Sequence, residues 1–109
     1  MAWLLRDGEV LAALEVATTF GAKMTGLIGR SSMEGALLLE RARSVHTIGM
    51  RFAVDVAFCD RDMVVFDTIA LAANRLSMPR LRARFVLEAR AGAFERWRLS
   101  PGDVLEIRP

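Results

Sequence analysis

A chain of 109 residues has room for one compact domain over 1–109 and rules out a second. Apolar types make up 53% and charged types 26%, enough apolar surface to offset chain entropy, which argues against intrinsic disorder. The formal net charge of +2 does not by itself point to nucleic acid; every basic residue except Lys23 is an arginine, so the placement of these planar guanidinium groups matters more than their number.

The N-terminus reaches Arg6 and a turn too soon to hold the apolar core of a secretory segment. The longest apolar runs, Ala36 to Leu39 and Ile69 to Ala73, fall far short of the ~20 residues a transmembrane helix needs. The expectation is a cytoplasmic protein, or one already processed. Trp3 to Arg6, then Asp7-Gly8, then Glu9 to Leu11 predicts a hairpin, because Asp-Gly suits a two-residue turn in which both central residues need positive φ. Arg6 and Glu9 then face each other, and the strand pair runs on to Val16 or Ala17.

Thr18 or Thr19 can cap a helix over 19–28, in which Phe20, Met24, Leu27 and Ile28 share one face, with Gly29 positioned to end it. Ala36 to Leu39 reads as a short buried strand, and Ser44 to Met50 as a loop or distorted strand containing His46. Phe52 to Cys59 and Met63 to Ala73 form a central hairpin, apolar on both faces, which needs a covering helix or closure into a barrel. From Arg80 the pattern alternates, with Leu81, Ala83, Phe85, Leu87 and Ala89 on one face and Arg80, Arg82, Arg84, Glu88 and Arg90 mostly on the other, which predicts a half-exposed strand. A helical turn around Ala93 to Arg98, a Pro101-Gly102 turn and a last strand from Val104 to Ile107 complete the chain.

Several of these pieces, in this order, resemble the uncharacterised domain of unknown function 192 family over nearly the whole chain. The resemblance rests on Lys23 to Arg30, on Gly35 to Leu39, on Val45 to Phe58 with its hydrophobic-Asp-hydrophobic strand, and on Val86 to Gly92 and Pro101 to Asp103. Lys23 stands where the family usually has Arg, Ala53 replaces the usual Pro, and His46, Gly49 and Met50 replace the Trp and Asn-Thr of other branches. The resemblance implies a small, mainly β fold with a helix packed against it; many members carry an N-terminal export or anchor segment, not seen at this N-terminus. It brings no established activity, cofactor or catalytic residue.

Asp55 interrupts an apolar strand, and a carboxylate taken out of water costs several kcal/mol unless it is paired or hydrogen-bonded. Either it braces the 44–51 segment or it meets a ligand or proton. His46 is the only histidine, the side-chain type whose reference pKa lies near neutrality, and with Thr47 could rim a small site. A Cys59, His46, Asp55 triad is disfavoured because residues 55 and 59 lie ~13 Å apart along a strand. With one cysteine and one histidine, neither an internal disulfide nor a metal site is expected, and no cofactor is called for. Arg80, Arg82 and Arg84 lack neighbouring aromatic residues for base stacking, so specific nucleic-acid binding is not expected.

The fold expected is α+β and mainly β: a small curved antiparallel sheet or partly open barrel with the 19–28 helix packed against it. The function expected is that of a small accessory or binding module with a shallow site around His46, Thr47, Met50, Arg51 and Asp55, taking a small molecule or a protein partner. The alternative is a hydrolase using Asp55 or His46, with polyanion binding through Arg80 to Arg90 behind both.

Overall fold

Residues 2–17 and 34–109 are described in a computed structural model of the chain, and the first of them form the hairpin that Asp7-Gly8 dictates. β1 (Ala2–Arg6) and β2 (Glu9–Ala17) pair antiparallel, with φ of 51° at Asp7 and 79° at Gly8. Both central residues are left-handed, as a type I′ turn requires. Arg6 pairs with Glu9 in the ladder, but its guanidinium leaves Glu9 for Asp103 Oδ2 at 3.0 Å and donates to the Trp97 and Arg98 carbonyls. The helix expected at 19–28 lies outside the described residues.

β3 (Ala36–Glu40), β4 (Val54–Cys59), β5 (Val65–Leu71), β6 (Phe85–Arg90), the short helix α1 (Ala93–Trp97) and β7 (Glu106–Arg108) follow. They join one seven-stranded sheet in the order β5-β4-β6-β3-β2-β1-β7. The sheet is mixed rather than purely antiparallel, because β3 begins opposite Leu14 and runs alongside β2 in the same direction. Its two edges curl together at one end, where Val64 bridges Val104 and the Val65 amide donates to the Asp103 carbonyl at 2.8 Å. The ladder does not close into a barrel: β7 has three residues, and all of them pair with β1.

β4 is apolar on both faces because both are covered. Val54, Val56 and Phe58 face one core with Leu37, Leu39 and Val86, while Ala57 and Cys59 face a second core with Leu14, Leu87 and Phe94. α1 covers part of the second core. Over the first, the two long connections, residues 41–53 and 72–84, pair with each other as an irregular antiparallel layer. The Ser77 amide donates to the Val45 carbonyl at 2.9 Å, the Thr47 amide to the Arg75 carbonyl at 2.8 Å and the Arg80 amide to the Arg43 carbonyl at 2.8 Å. Ala42, Val45, Met50 and Ala83 point inward from this layer into the core. Each fully buried aliphatic or aromatic side chain stabilises by ~1.5–3 kcal/mol, so this layer is part of the fold and not an appendage.

The strand expected over Arg80 to Arg90 is shorter and sits elsewhere. β6 begins at Phe85 and lies between β3 and β4 in the middle of the sheet, while Arg80 to Arg84 belong to the covering layer. Leu81, expected inside, is 80% exposed, and Glu88, expected outside, is 3% exposed. Ala83, Leu87 and Ala89 are buried and Arg82, Arg84 and Arg90 exposed, as the alternation predicts, so Leu81 and Glu88 are the departures from it.

Candidate functional site

Strand parity separates Asp55 from the loop it was expected to brace. Val54 and Val56 face the core covered by the 41–53 and 72–84 layer, so Asp55 points to the opposite face, where α1 lies. There one carboxylate oxygen, Oδ2, accepts from the Gly92 amide at 2.9 Å and the Phe94 amide at 3.1 Å. Gly92 occupies the N-cap of α1 with φ 93° and has no side chain to satisfy these donors, so a carboxylate from β4 caps the helix across the sheet face. Asp55 is therefore a brace, but of the turn from β6 into α1 rather than of residues 44–51.

The other four sequence-derived residues stay together in the covering layer. Thr47 is fully buried; its Oγ1 donates to the Ala72 carbonyl and accepts from the Arg75 amide at 2.9 Å, tying the two connections together. Met50 is buried in the core, whereas Arg51 is exposed. His46 is half-buried, bridges Leu76, and accepts the Ile48 amide on Nδ1 at 3.2 Å. The sheet stands between this group and Asp55, so the structure does not bring His46 and Asp55 to one cleft.

Cys59 is buried, and burial pushes its thiol up to about 12, helped by the adjacent Asp60 charge. A thiol so protected is not a nucleophile near neutral pH. Glu88 was not singled out from the sequence, although it interrupts Val86, Leu87 and Ala89 as Asp55 interrupts its own strand. Its side chain shares the first core with cross-strand neighbours Leu37 and Val56, and its Oε1 has no hydrogen-bond partner among the described residues. Burial raises its carboxyl from 4.5 to about 7. Among the described residues no cluster of His, Cys, Asp or Glu side chains is placed to hold a metal ion, and no helix is long and apolar enough to cross a membrane.

A concavity adjoining the second core lies between β2, the chain entering β3, and α1. It is a groove of about 690 Å3 with a floor of Leu11, Leu14 and Ala36 and a wall of Ala93 and Trp97. Glu34 and, from α1, Arg96 also line it, while Glu15 and Arg90 border it at positions opposite the first-core residues Leu37 and Val54. Gly35 is required here: it has φ 69°, and a Cβ would lie 2.6 Å from the Ala13 carbonyl oxygen. On the far side of α1, Asp55 and Thr68 line a smaller depression of about 330 Å3 with Gly92 and Glu95. None of the groove residues was singled out from the sequence as part of a site. They come from three separate stretches of chain and meet only through the sheet order and the docking of α1.

A model for an uncharacterized family, described as DUF192, uncharacterized ACR, matches residues 2–107. No curated protein matches. Two solved structures share the fold. One, a protein of unknown function from Novosphingobium aromaticivorans, is 21% identical, with a TM-score of 0.78 over 96% of this chain and 82% of the other. The second, from Sinorhizobium meliloti and described as a candidate transcription regulator, is 24% identical, with a TM-score of 0.80 over 96% of this chain and 90% of the other.

Proposed function

This chain belongs to the domain of unknown function 192 family, and from that premise we propose that it is a small accessory module that binds an apolar carboxylate in the groove between β2 and α1. The observation that carries the reading is an apolar floor with Arg96 of α1 among its lining residues, in a groove of about 690 Å3, within the ~300–1,000 Å3 range of ligand pockets. Arginine matches a carboxylate with two parallel donors, and the apolar floor repays desolvation of the ligand body. Glu34, also in the lining, disfavours a ligand that is anionic at both ends.

A hydrolase is less well supported. Catalysis by acid and base needs groups within hydrogen-bond reach of one reacting atom. Asp55 already accepts two amides, Cys59 is buried, and His46 lies across the sheet from Asp55. Trp97 offers a direct test, since Trp3 is the other of the chain's two tryptophans. In a Trp3→Phe protein, titration with medium-chain fatty acids and N-acetylated apolar dipeptides is expected to shift Trp97 emission saturably, and Arg96→Gln to weaken that response about tenfold without changing Tm. A Trp97 signal and a Tm that stay flat across the panel would overturn the reading.

A further inference from the structure

The two connections that cover the first core have an outer face with an unusual composition. Residues 41–51 and 72–84 carry seven of the fifteen basic residues, Arg41, Arg43, Arg51, Arg75, Arg80, Arg82 and Arg84, and none of the thirteen acids. A chain of net charge +2 thus places +7 on this layer and leaves −5 for the rest. The same segments hold the four most exposed large apolar side chains among the described residues: Ile48 at 57%, Leu76 at 68%, Met78 at 75% and Leu81 at 80%. Both features follow from the register of the layer. Its inward positions are spent on Ala42, Val45, Thr47, Met50, Ser77 and Ala83, so the alternate positions are left to solvent.

We propose that this outer face docks on an anionic lipid bilayer, with Leu76, Met78, Leu81 and Ile48 entering the headgroup boundary and Arg43, Arg51, Arg75 and Arg82 lying among the lipid phosphates. Aliphatic side chains gain from leaving water at such a boundary, and guanidinium groups are attracted by the negative surface potential of the leaflet. Nucleic acid fits less well, because the phenylalanines nearest the arginines are withdrawn: Phe58 is fully buried under Arg80, and the half-buried Phe66 is capped by Arg82, with the guanidinium 4.9 Å from its ring centre. A base would find both of these rings already covered. A second copy of the chain fits poorly too, since a two-fold contact through this face would set the arginines against themselves. The sheet separates this surface from the groove beside α1, so the two readings stand or fall independently.

Cosedimentation with vesicles tests the proposal. Wild-type protein is expected to pellet with phosphatidylcholine vesicles containing phosphatidylglycerol, to stay in solution with phosphatidylcholine alone, and to be released as salt is raised. Leu76→Ser with Leu81→Ser, and separately Arg43→Gln with Arg75→Gln, are each expected to weaken partitioning about tenfold or more while Tm is unchanged, because all four side chains are exposed. Failure of the wild type to bind the anionic vesicles at low salt would overturn the proposal. So would partitioning that the leucine changes leave untouched, or a shift from dimer to monomer on making them. Retention of duplex DNA that the leucine changes do not affect, without vesicle binding, would reassign the surface to nucleic acid.

Discussion

Replacing Glu88 by Gln keeps the shape of the side chain and removes its ability to ionise, in a position where ionisation is costly. Glu88 is 3% exposed, lies between Leu37 and Val56 in the first core, and has an unpartnered Oε1 among the described residues. Its carboxyl is raised from 4.5 to about 7 in the folded protein. Between those values the unfolded chain has released the proton while the folded chain retains it, so raising the pH favours unfolding. The contribution is fully present below 4.5 and is lost as pH passes through about 7. At ~1.4 kcal/mol for each tenfold change in proton affinity, the total is about 3 kcal/mol, a large part of the ~5–15 kcal/mol that holds a domain folded. Urea denaturation of wild type and Glu88→Gln at intervals from about pH 4.5 to 8 reads this directly. The two proteins are expected to match in stability at the acid end and to diverge with rising pH, the Gln variant becoming more stable by up to about 3 kcal/mol. Curves that stay parallel across that range would refute the argument that the carboxyl is desolvated.

Three further substitutions address the joints of the fold. Asp55→Ala frees the Gly92 and Phe94 amides and is expected to cost ~1–2 kcal/mol in chemical denaturation, while Asp55→Asn, which keeps an acceptor, costs less. A Cβ at Gly8 meets nothing within 4 Å, so Gly8→Ala is expected to cost only the ~1–2 kcal/mol of a left-handed residue; Gly35→Ala adds a clash with the Ala13 carbonyl oxygen and should lower Tm distinctly more. Thr47→Val preserves volume but leaves the Arg75 amide and the Ala72 carbonyl without their hydroxyl partner. It is expected to cost ~1–3 kcal/mol and to speed amide exchange in the 72–84 segment before the rest of the protein opens.

Features set by a few adjacent residues were legible in the order of amino acids. Asp7-Gly8 and Pro101-Gly102 form turns at the expected places, with φ 100° at Gly102, because the backbone preferences of Gly, Asp and Pro act over single residues. The apolar runs at 36–39 and 54–59 become central strands because a segment apolar on both faces is stable only when both are covered. What covers each face was not legible, since that depends on which distant segments the sheet brings together. The alternation over 80–90 fits an exposed strand and a central one equally well until β3 and β4 take their places on either side of β6, and that pairing is what puts Glu88 in the core and the arginines in the covering layer. Asp55 could be recognised from its apolar neighbours as an acid in need of donors, but the identity of the donors was settled by strand parity and the docking of α1, which face it toward Gly92 and Phe94 instead of toward His46. The groove is the extreme case: Leu11, Ala36 and Trp97 share no local pattern, and only the parallel pairing of β3 with β2 and the turn from β6 into α1 bring three separately encoded stretches around one apolar floor.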